Sequence, residues 1–111
     1  MPTEGPCPNP HTLPPSDVVE ATVRLLSVLA HPGRLTVVLA LSETPGLTAG
    51  ELQRLAGLEQ SAMSHQLRIL REQRLVVAER DGRHVRYRNH DHHVAHIVAD
   101  AVSHAREGLD G

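Results

Sequence analysis

Histidine is concentrated near the carboxyl terminus of this 111-residue chain, where the segment from His90 to Glu107 carries five of the nine histidines. Imidazole titrates close to neutral pH and is the commonest protein ligand of transition metals. Three interpretations are therefore open: histidines that merely face solvent, a pH-sensing cluster, and a metal site. A pH sensor also needs burial or a charged neighbour, so the geometry of the segment decides between them.

The segment has the pattern of an amphipathic helix from about Asp91 to Glu107, with Gly108 as its stop. At about 100° per residue, one polar stripe within about 60° carries His93, Asp100, His104 and Glu107. Asp91 lies at the start of the helix, next to this stripe. An apolar stripe runs alongside and consists of Val94, Ile97, Ala101 and Ala105.

One chain cannot place both ends of the polar stripe on the same metal ion. His93 and His104 are separated by about 16 Å along the helix axis, whereas a Zn–N bond is about 2.0–2.1 Å long. Two antiparallel copies of the helix would bring Asp91 and His93 of one against His104 and Glu107 of the other. We therefore predict two equivalent metal sites across a two-fold dimer interface.

The net charge of −2 argues against binding to nucleic acid, but the distribution of charge along the chain does not. Residues 68–88 carry seven arginines against three acidic residues, a local balance of +4, while the rest of the chain carries four arginines and ten acidic residues, a balance of −6. This asymmetry predicts a focused basic surface on an acidic protein. A solvated charged hairpin would have the same composition, so the structural elements must decide.

Residues 1–15 hold six of the eight prolines, and we expect them to form a disordered or extended tail in front of one domain at residues 16–108. Tyr87 is the only aromatic residue, so the core must be aliphatic, which favours a mainly helical fold. Cys7 is the only cysteine and suits a reducing compartment. We expect a cytoplasmic protein with neither a signal peptide nor a membrane span.

The middle of the chain predicts a helix-turn-helix. Ser16 is the expected cap of a first helix that ends before "HPGR", and Pro32 suits the first turn of a second. Thr48 and Glu51 fit the capping box of a short helix that ends at Gly57. A tight turn then leads to "QSAMSHQLRILREQR", which has two faces: Met63, Leu67 and Leu70 inward, and Ser61, Ser64, His65, Arg68 and Glu72 outward.

The following segment, "LVVAERDGRHVRYR", predicts a β-hairpin turning at Asp81-Gly82. A two-residue turn there gives three expected cross-strand pairs: Arg80 with Arg83, Ala78 with Val85, and Val76 with Tyr87. A hairpin tipped with arginines after such a helix is a wing. The predicted fold class is mainly α with a small β-hairpin, a winged helix-turn-helix that forms a homodimer through its first and last helices.

In this fold the second helix of the motif lies in the DNA major groove. We predict that DNA is contacted by the polar side chains of that helix and by two wing arginines, namely Gln60, Ser61, Ser64, His65, Gln66, Arg68, Arg80 and Arg83. Two protomers would bind the two half-sites of an inverted-repeat operator. An ordinary pair of helices with a polar surface is the alternative interpretation.

Together, "EQSAMSHQLRILREQRLVVAERDGRHVRY" and "DHHVAHIVADAVSHARE" resemble the ArsR/SmtB family of metal-responsive winged-helix repressors, over roughly Val18 to Glu107. The Asp-x-His and His-x-x-Glu pair is similar to the last-helix sensor site of the zinc and nickel/cobalt branches. The resemblance implies that Asp91 and His93 of one protomer join His104 and Glu107 of the other. In most members metal weakens DNA binding.

The resemblance also limits which metal ions are expected. The family's thiolate site needs a Cys-x-Cys in the helix before the turn, and "GELQRLAG" has none, which argues against arsenic, lead and cadmium. Nickel or zinc is expected, with cobalt as a third option, and Cys7 and His11 are candidate extra ligands. The alternative is a constitutive DNA-binding regulator whose metal site is structural or whose sensing is done by a partner protein. An enzyme is not expected, because the sequence has no HExxH and no glycine-rich phosphate loop.

Overall fold

The computed structural model describes residues 12–110, so Cys7, His11 and most of the predicted tail lie outside it. It contains five helices and three strands. In chain order these are α1 (Ser16–Leu29), α2 (Pro32–Glu43), β1 (Leu47–Thr48), α3 (Ala49–Ala56), α4 (Gln60–Glu72), β2 (Val76–Asp81), β3 (His84–Asn89) and α5 (His92–Asp110).

The starts of the first two helices follow from local chemistry, with one correction. Pro15 precedes α1, and its carbonyl accepts from the amides of Val18 and Val19, so Ser16 is the first helical residue and the predicted serine cap is wrong. Pro32 opens α2 as predicted. The ring nitrogen Nδ1 of His31 accepts from the amide of Gly33 at 3.1 Å, which satisfies a donor at the start of α2.

The turn that orients α4 follows the sequence prediction closely. Thr48 and Glu51 form a reciprocal capping box at the start of α3. Gly57 ends α3 with φ 66°, in the left-handed region where glycine carries no side-chain penalty. Leu58 and Glu59 complete a three-residue turn, and α4 begins at Gln60. A compact helix-turn-helix is the result.

The sheet has one more strand than predicted, in the order β1-β3-β2, with all pairs antiparallel. The predicted hairpin register is wrong: Ala78 pairs with Tyr87 and Arg80 with Val85. The two central residues of the turn are Gly82 and Arg83, because Gly82 has φ 64° and supplies the left-handed residue that a tight hairpin turn requires. Since the shift is two residues, each side chain keeps its predicted face.

The core surrounds α2 and the inner face of α4. Its buried apolar residues are Leu29, Val37, Val38, Leu41, Leu52, Met63, Leu67, Leu70, Leu75, Val76 and Val98. Met63, Leu67 and Leu70 lie inward as predicted. Because α4 packs its whole apolar stripe here, its opposite face is fixed toward solvent.

Helix α5 differs from the prediction at its end and in its orientation. It continues through Gly108 to Asp110, because Gly108 keeps a helical conformation, so the predicted stop is wrong. Val98 is the residue of α5 that enters the core, whereas Ile97 is 48% exposed. The predicted apolar stripe therefore lies largely outside the core of the protomer.

No single helix among the described residues is both long enough and apolar enough to cross a membrane. Only α1 and α2 together, bent by 92° at their junction, reach that length and composition.

The Thr48–Glu51 capping box makes a testable prediction. Hydrogen bonds from the Thr48 amide (2.9 Å) and hydroxyl (3.2 Å) hold the pKa of the Glu51 carboxyl below its ordinary value. Thr48→Val should raise that pKa part of the way back, because only the amide bond remains. The lost cap should also lower the free energy of unfolding by about 1 kcal/mol.

The sign of the pH dependence follows from the lowered pKa. Glu51 stabilises the fold above its unfolded pKa, and this contribution is lost as pH falls through its lower folded pKa. A carbon-13 NMR titration and urea unfolding measure both effects. Thr36→Val, which loses only a hydroxyl bond to the Pro32 carbonyl in α2, is the matched control. An equal loss of stability in both variants would contradict the capping account.

Candidate DNA-binding surface and metal centre

The exposed face of α4 carries a row of polar side chains that have no partner within residues 12–110. Gln60, Ser61, Ser64, His65 and Arg68 are exposed and make no side-chain hydrogen bond or ion pair there. Their donors and acceptors are therefore free for an external ligand. Hydroxyl, amide, imidazole and guanidinium groups are the groups that reach base edges and phosphates in the major groove.

Gln66 does not belong to this row, and the expectation that it faces outward is wrong. Its side chain is only 8% exposed, and its Oε1 accepts from Nη1 of Arg34 at 2.6 Å. The helical angle explains the difference, since Gln66 lies about 40° from Leu70 and about 60° from Met63, at the edge of the inward face. From the sequence, Gln66 was assigned to the outer face only because glutamine is a polar residue.

The structure separates the arginines of the wing into two groups. Arg86 forms an ion pair with Asp81 at 2.9 Å and donates to the Gly46 carbonyl, and Arg88 pairs with Glu79 at 3.3 Å. Arg80 and Arg83 have no such partner within the described chain. The unpaired positive charge of the wing thus lies at its tip, where a DNA backbone or minor groove can attract it.

A basic groove of about 580 Å³ lies between α4 and β2 and was missed by the sequence analysis. Arg68, Arg71 and Arg74 line it, together with Glu72 and His90. The spacing of three residues between these arginines could have predicted the groove, because residues three apart lie close together on one face of a helix. Arg74 has φ 60°, a left-handed conformation that ends α4 while the Leu75 amide donates to the Leu70 carbonyl.

The predicted metal ligands begin at the N-terminus of α5. Oδ1 of Asp91 accepts from the His93 amide at 2.9 Å, so Asp91 caps the helix, and Oδ2 lies 3.4 Å from Nδ1 of His90. The hydrogen bond from the His93 backbone amide is the main cause of the lowered pKa of the Asp91 carboxyl. A carboxylate that stays ionised is the form that binds a cation.

All four predicted ligands, Asp91, His93, His104 and Glu107, are exposed side chains of one protomer. Within residues 12–110, no three His, Cys, Asp or Glu side chains of a single protomer are arranged to hold a metal ion. Asp91 and His93 lie together at one end of α5, and His104 and Glu107 lie together near the other. The donor set of two imidazoles and two carboxylates suits a divalent transition metal only if two chains contribute.

Two other histidines lie next to the ligand stripe of α5. The rings of His92 and His96 lie 5.4 Å apart between centroids and line a groove of about 440 Å³ with Arg88 and Asn89. On a helical projection His92 lies about 100° and His96 about 60° from His93, and Asp91 also lines this groove.

The amino-acid sequence is similar to those of known transcriptional regulators. A sequence model of the arsR family of bacterial regulatory proteins matches residues 31–77, from the start of α2 into β2. The HTH-type transcriptional repressor SmtB of Mycobacterium tuberculosis is 43% identical over 101 residues, which cover 91% of this chain and 74% of the relative. The chain belongs to the ArsR/SmtB family of winged-helix transcriptional regulators.

Other members of the ArsR/SmtB family agree with this assignment. The HTH-type transcriptional regulator NmtR of Mycobacterium tuberculosis is 44% identical over 80 residues, covering 72% of this chain and 66% of the relative. The crystal structure of the antimony-specific transcriptional repressor AntR aligns over 100% of both chains with a TM-score of 0.83 at 27% identity. The predicted winged helix-turn-helix fold is confirmed.

The division of the wing arginines makes a prediction about DNA binding. Arg83→Ala should weaken binding to a duplex selected from random sequences and reduce the salt slope by about one unit, because one phosphate contact is lost. Fluorescence anisotropy at several salt concentrations measures the slope.

Arg88→Ala is the matched control, since it removes the same charge from an arginine that already pairs with Glu79. Equal salt slopes for Arg83→Ala and the native protein would contradict a role for the wing tip in DNA binding.

Proposed function

We propose that this protein is a metal-responsive transcriptional regulator of the cytoplasm, a homodimer that binds an inverted-repeat DNA operator. A divalent metal, nickel or zinc with cobalt as a third option, modulates operator affinity from sites where the two copies of α5 meet. The observation that carries the proposal is the split of the four ligands on α5. Asp91 and His93 lie at one end, and His104 and Glu107 lie at the other, all exposed.

The exposed apolar residues support a dimer. On α1 these are Val18, Val19, Val23 and Leu26, and on α5 the large one beside the ligand stripe is Ile97. Val23 is 57% exposed and Ile97 is 48% exposed. Full burial of one such side chain contributes about 1.5–3 kcal/mol relative to exposure. Covering these two helices with a second copy would therefore stabilise a dimer and bring the two α5 helices together.

The position of Ile97 supports the antiparallel arrangement in particular. On a helical projection Ile97 lies within about 40° of His93 and about 20° of His104. The residues proposed as ligands thus flank an exposed apolar side chain on the same face. Packing of that face against its two-fold copy would bury Ile97 and place the His93 end of each helix beside the His104 end of the other.

The donor set supports a borderline metal. Two imidazoles and two carboxylates suit tetrahedral Zn²⁺, and bidentate carboxylates or further donors would suit six-coordinate Ni²⁺ or Co²⁺. Helix α3 carries no cysteine, so it offers no thiolate for a soft ion. The antimony-specific repressor AntR is one relative of known signal, and its thiophilic ion differs from the ions that this donor set favours.

Occupied sites would favour one arrangement of the two protomers and so set the distance between the two α4 helices. Operator affinity depends on that distance, because the half-sites of a duplex have fixed spacing. A coupling of about 1–3 kcal/mol between metal and DNA would change operator affinity by about 5- to 150-fold. The DNA-binding surface in this proposal consists of polar side chains of α4 and two wing arginines: Gln60, Ser61, Ser64, His65, Arg68, Arg80 and Arg83.

His104→Ala tests the metal centre. We expect the native protein to change operator affinity about tenfold or more on addition of Ni²⁺ or Zn²⁺ and the variant to lose that change while keeping its metal-free affinity. Fluorescence anisotropy on an operator selected from random duplexes measures both.

His96→Ala removes a histidine of the same helix that lies beside the stripe but is not one of the four proposed ligands, and it should respond to metal like the native protein. An operator affinity that stays constant while the native protein binds metal would show a structural site and a constitutive regulator. An unchanged response in His104→Ala would remove His104 from the site.

A further inference from the structure

Gln66 is the one buried polar side chain among residues 12–110, and it lies in the middle of α4. Burying an amide without a partner is costly, so the partner of Gln66 is a structural requirement. That partner is Arg34, whose Nη1 donates to Oε1 of Gln66 at 2.6 Å. The proposed DNA-binding helix is thereby held by a residue from α2.

The same guanidinium also holds α1. Nε of Arg34 donates to the carbonyl of Val28 at 2.6 Å, in the last turn of α1. Backbone amides satisfy the neighbouring carbonyls of this turn: Ala30 donates to Leu26 and Ser27, and His31 donates to Leu29. Arg34 therefore supplies the donor for Val28, and its positive charge lies at the negative end of the α1 dipole.

Helix α1 has few other contacts with the rest of the protomer. It packs mainly against α2, and Leu29 is its only buried residue. Most of its apolar side chains face outward, toward the proposed partner copy. A change in the arrangement of the two protomers would therefore act on α1 first, and Arg34 joins the end of α1 directly to α4.

We propose that Arg34 is a positioning residue for DNA recognition, which couples the C-terminal turn of α1 to the orientation of α4 through Gln66. The coupling of metal to DNA rests on the proposed function, whereas the positioning of α4 requires only that α4 binds DNA. Arginine suits this role because its planar guanidinium donates along two fixed directions at once. Arg34 has no carboxylate partner within the described chain, so both strong bonds serve the two helices.

A double-mutant cycle of Arg34→Met, Gln66→Met and the combined variant tests the proposal. Each variant is measured as the full chain for operator affinity without metal, operator affinity with Ni²⁺ or Zn²⁺, dimer dissociation and urea unfolding. Arg34→Lys keeps the charge and most of the length but has no fork, and it serves if Arg34→Met does not fold. Arg24→Met, an exposed arginine of α1, is the matched control.

The proposal predicts a shared loss. Each single substitution should weaken metal-free operator binding about tenfold, and the double variant should lose no more than the larger single effect. The metal-dependent change in operator affinity should shrink by a similar factor in all three, while metal affinity without DNA stays native. Arg24→Met should match the native protein throughout.

Three results would overturn the proposal. Losses in metal-free operator affinity that add in the double variant, or lower stability with native operator affinity, would make the pair merely structural. A native metal-dependent change in the Arg34 and Gln66 variants would show that the coupling takes another route. If metal does not alter operator affinity even in the native protein, the proposed function fails, and the metal-free cycle still decides the positioning role.

Discussion

The rise of the α-helix is the constraint on which this account depends. His93 and His104 are about 16 Å apart along α5. A metal ion that binds a His93 and a His104 together must therefore take them from two different chains. Helix α5 can offer this face because Val98, on its opposite side, enters the core. The same geometry leaves Ile97 exposed beside the ligands. In the proposed dimer, metal binding and dimer packing would share one surface, and the metal would act on the arrangement of the two protomers.

In the proposed mechanism, the packed core would carry such a change to the DNA-binding surface. Helix α2 is buried on several sides and contacts α1, α3, α4 and α5, so it connects the elements that would form the dimer with those that would bind DNA. Helix α4 is fixed on its inner face by Met63, Leu67 and Leu70, and Gln66 joins this inner face through Arg34. The exposed side chains of α4 therefore have a defined direction rather than a range of directions.

Local signals in the sequence determined most of the fold. Pro32, the Thr48–Glu51 capping box and Gly57 each act within a few residues, so their consequences were predictable. The hairpin register was wrong because the sequence does not specify which two residues occupy the centre of the turn. Gln66 was misplaced because its polar residue type was given more weight than its helical angle, and Arg34, 32 residues away in sequence, supplies the partner for its buried side chain. The pairing of Arg86 and Arg88 with acidic residues likewise depends on a register that only the structure defines.

Metal binding to a mixed dimer tests the central claim most directly. One chain carries Asp91→Ala with His93→Ala, the other carries His104→Ala with Glu107→Ala, and calorimetry measures nickel or zinc binding to each alone and to the mixture. If each site spans two protomers, both homodimers lose tight binding, and every mixed dimer regains one intact site. If the mixture binds no better than either chain alone, the four residues do not form a site between protomers, and the account is wrong.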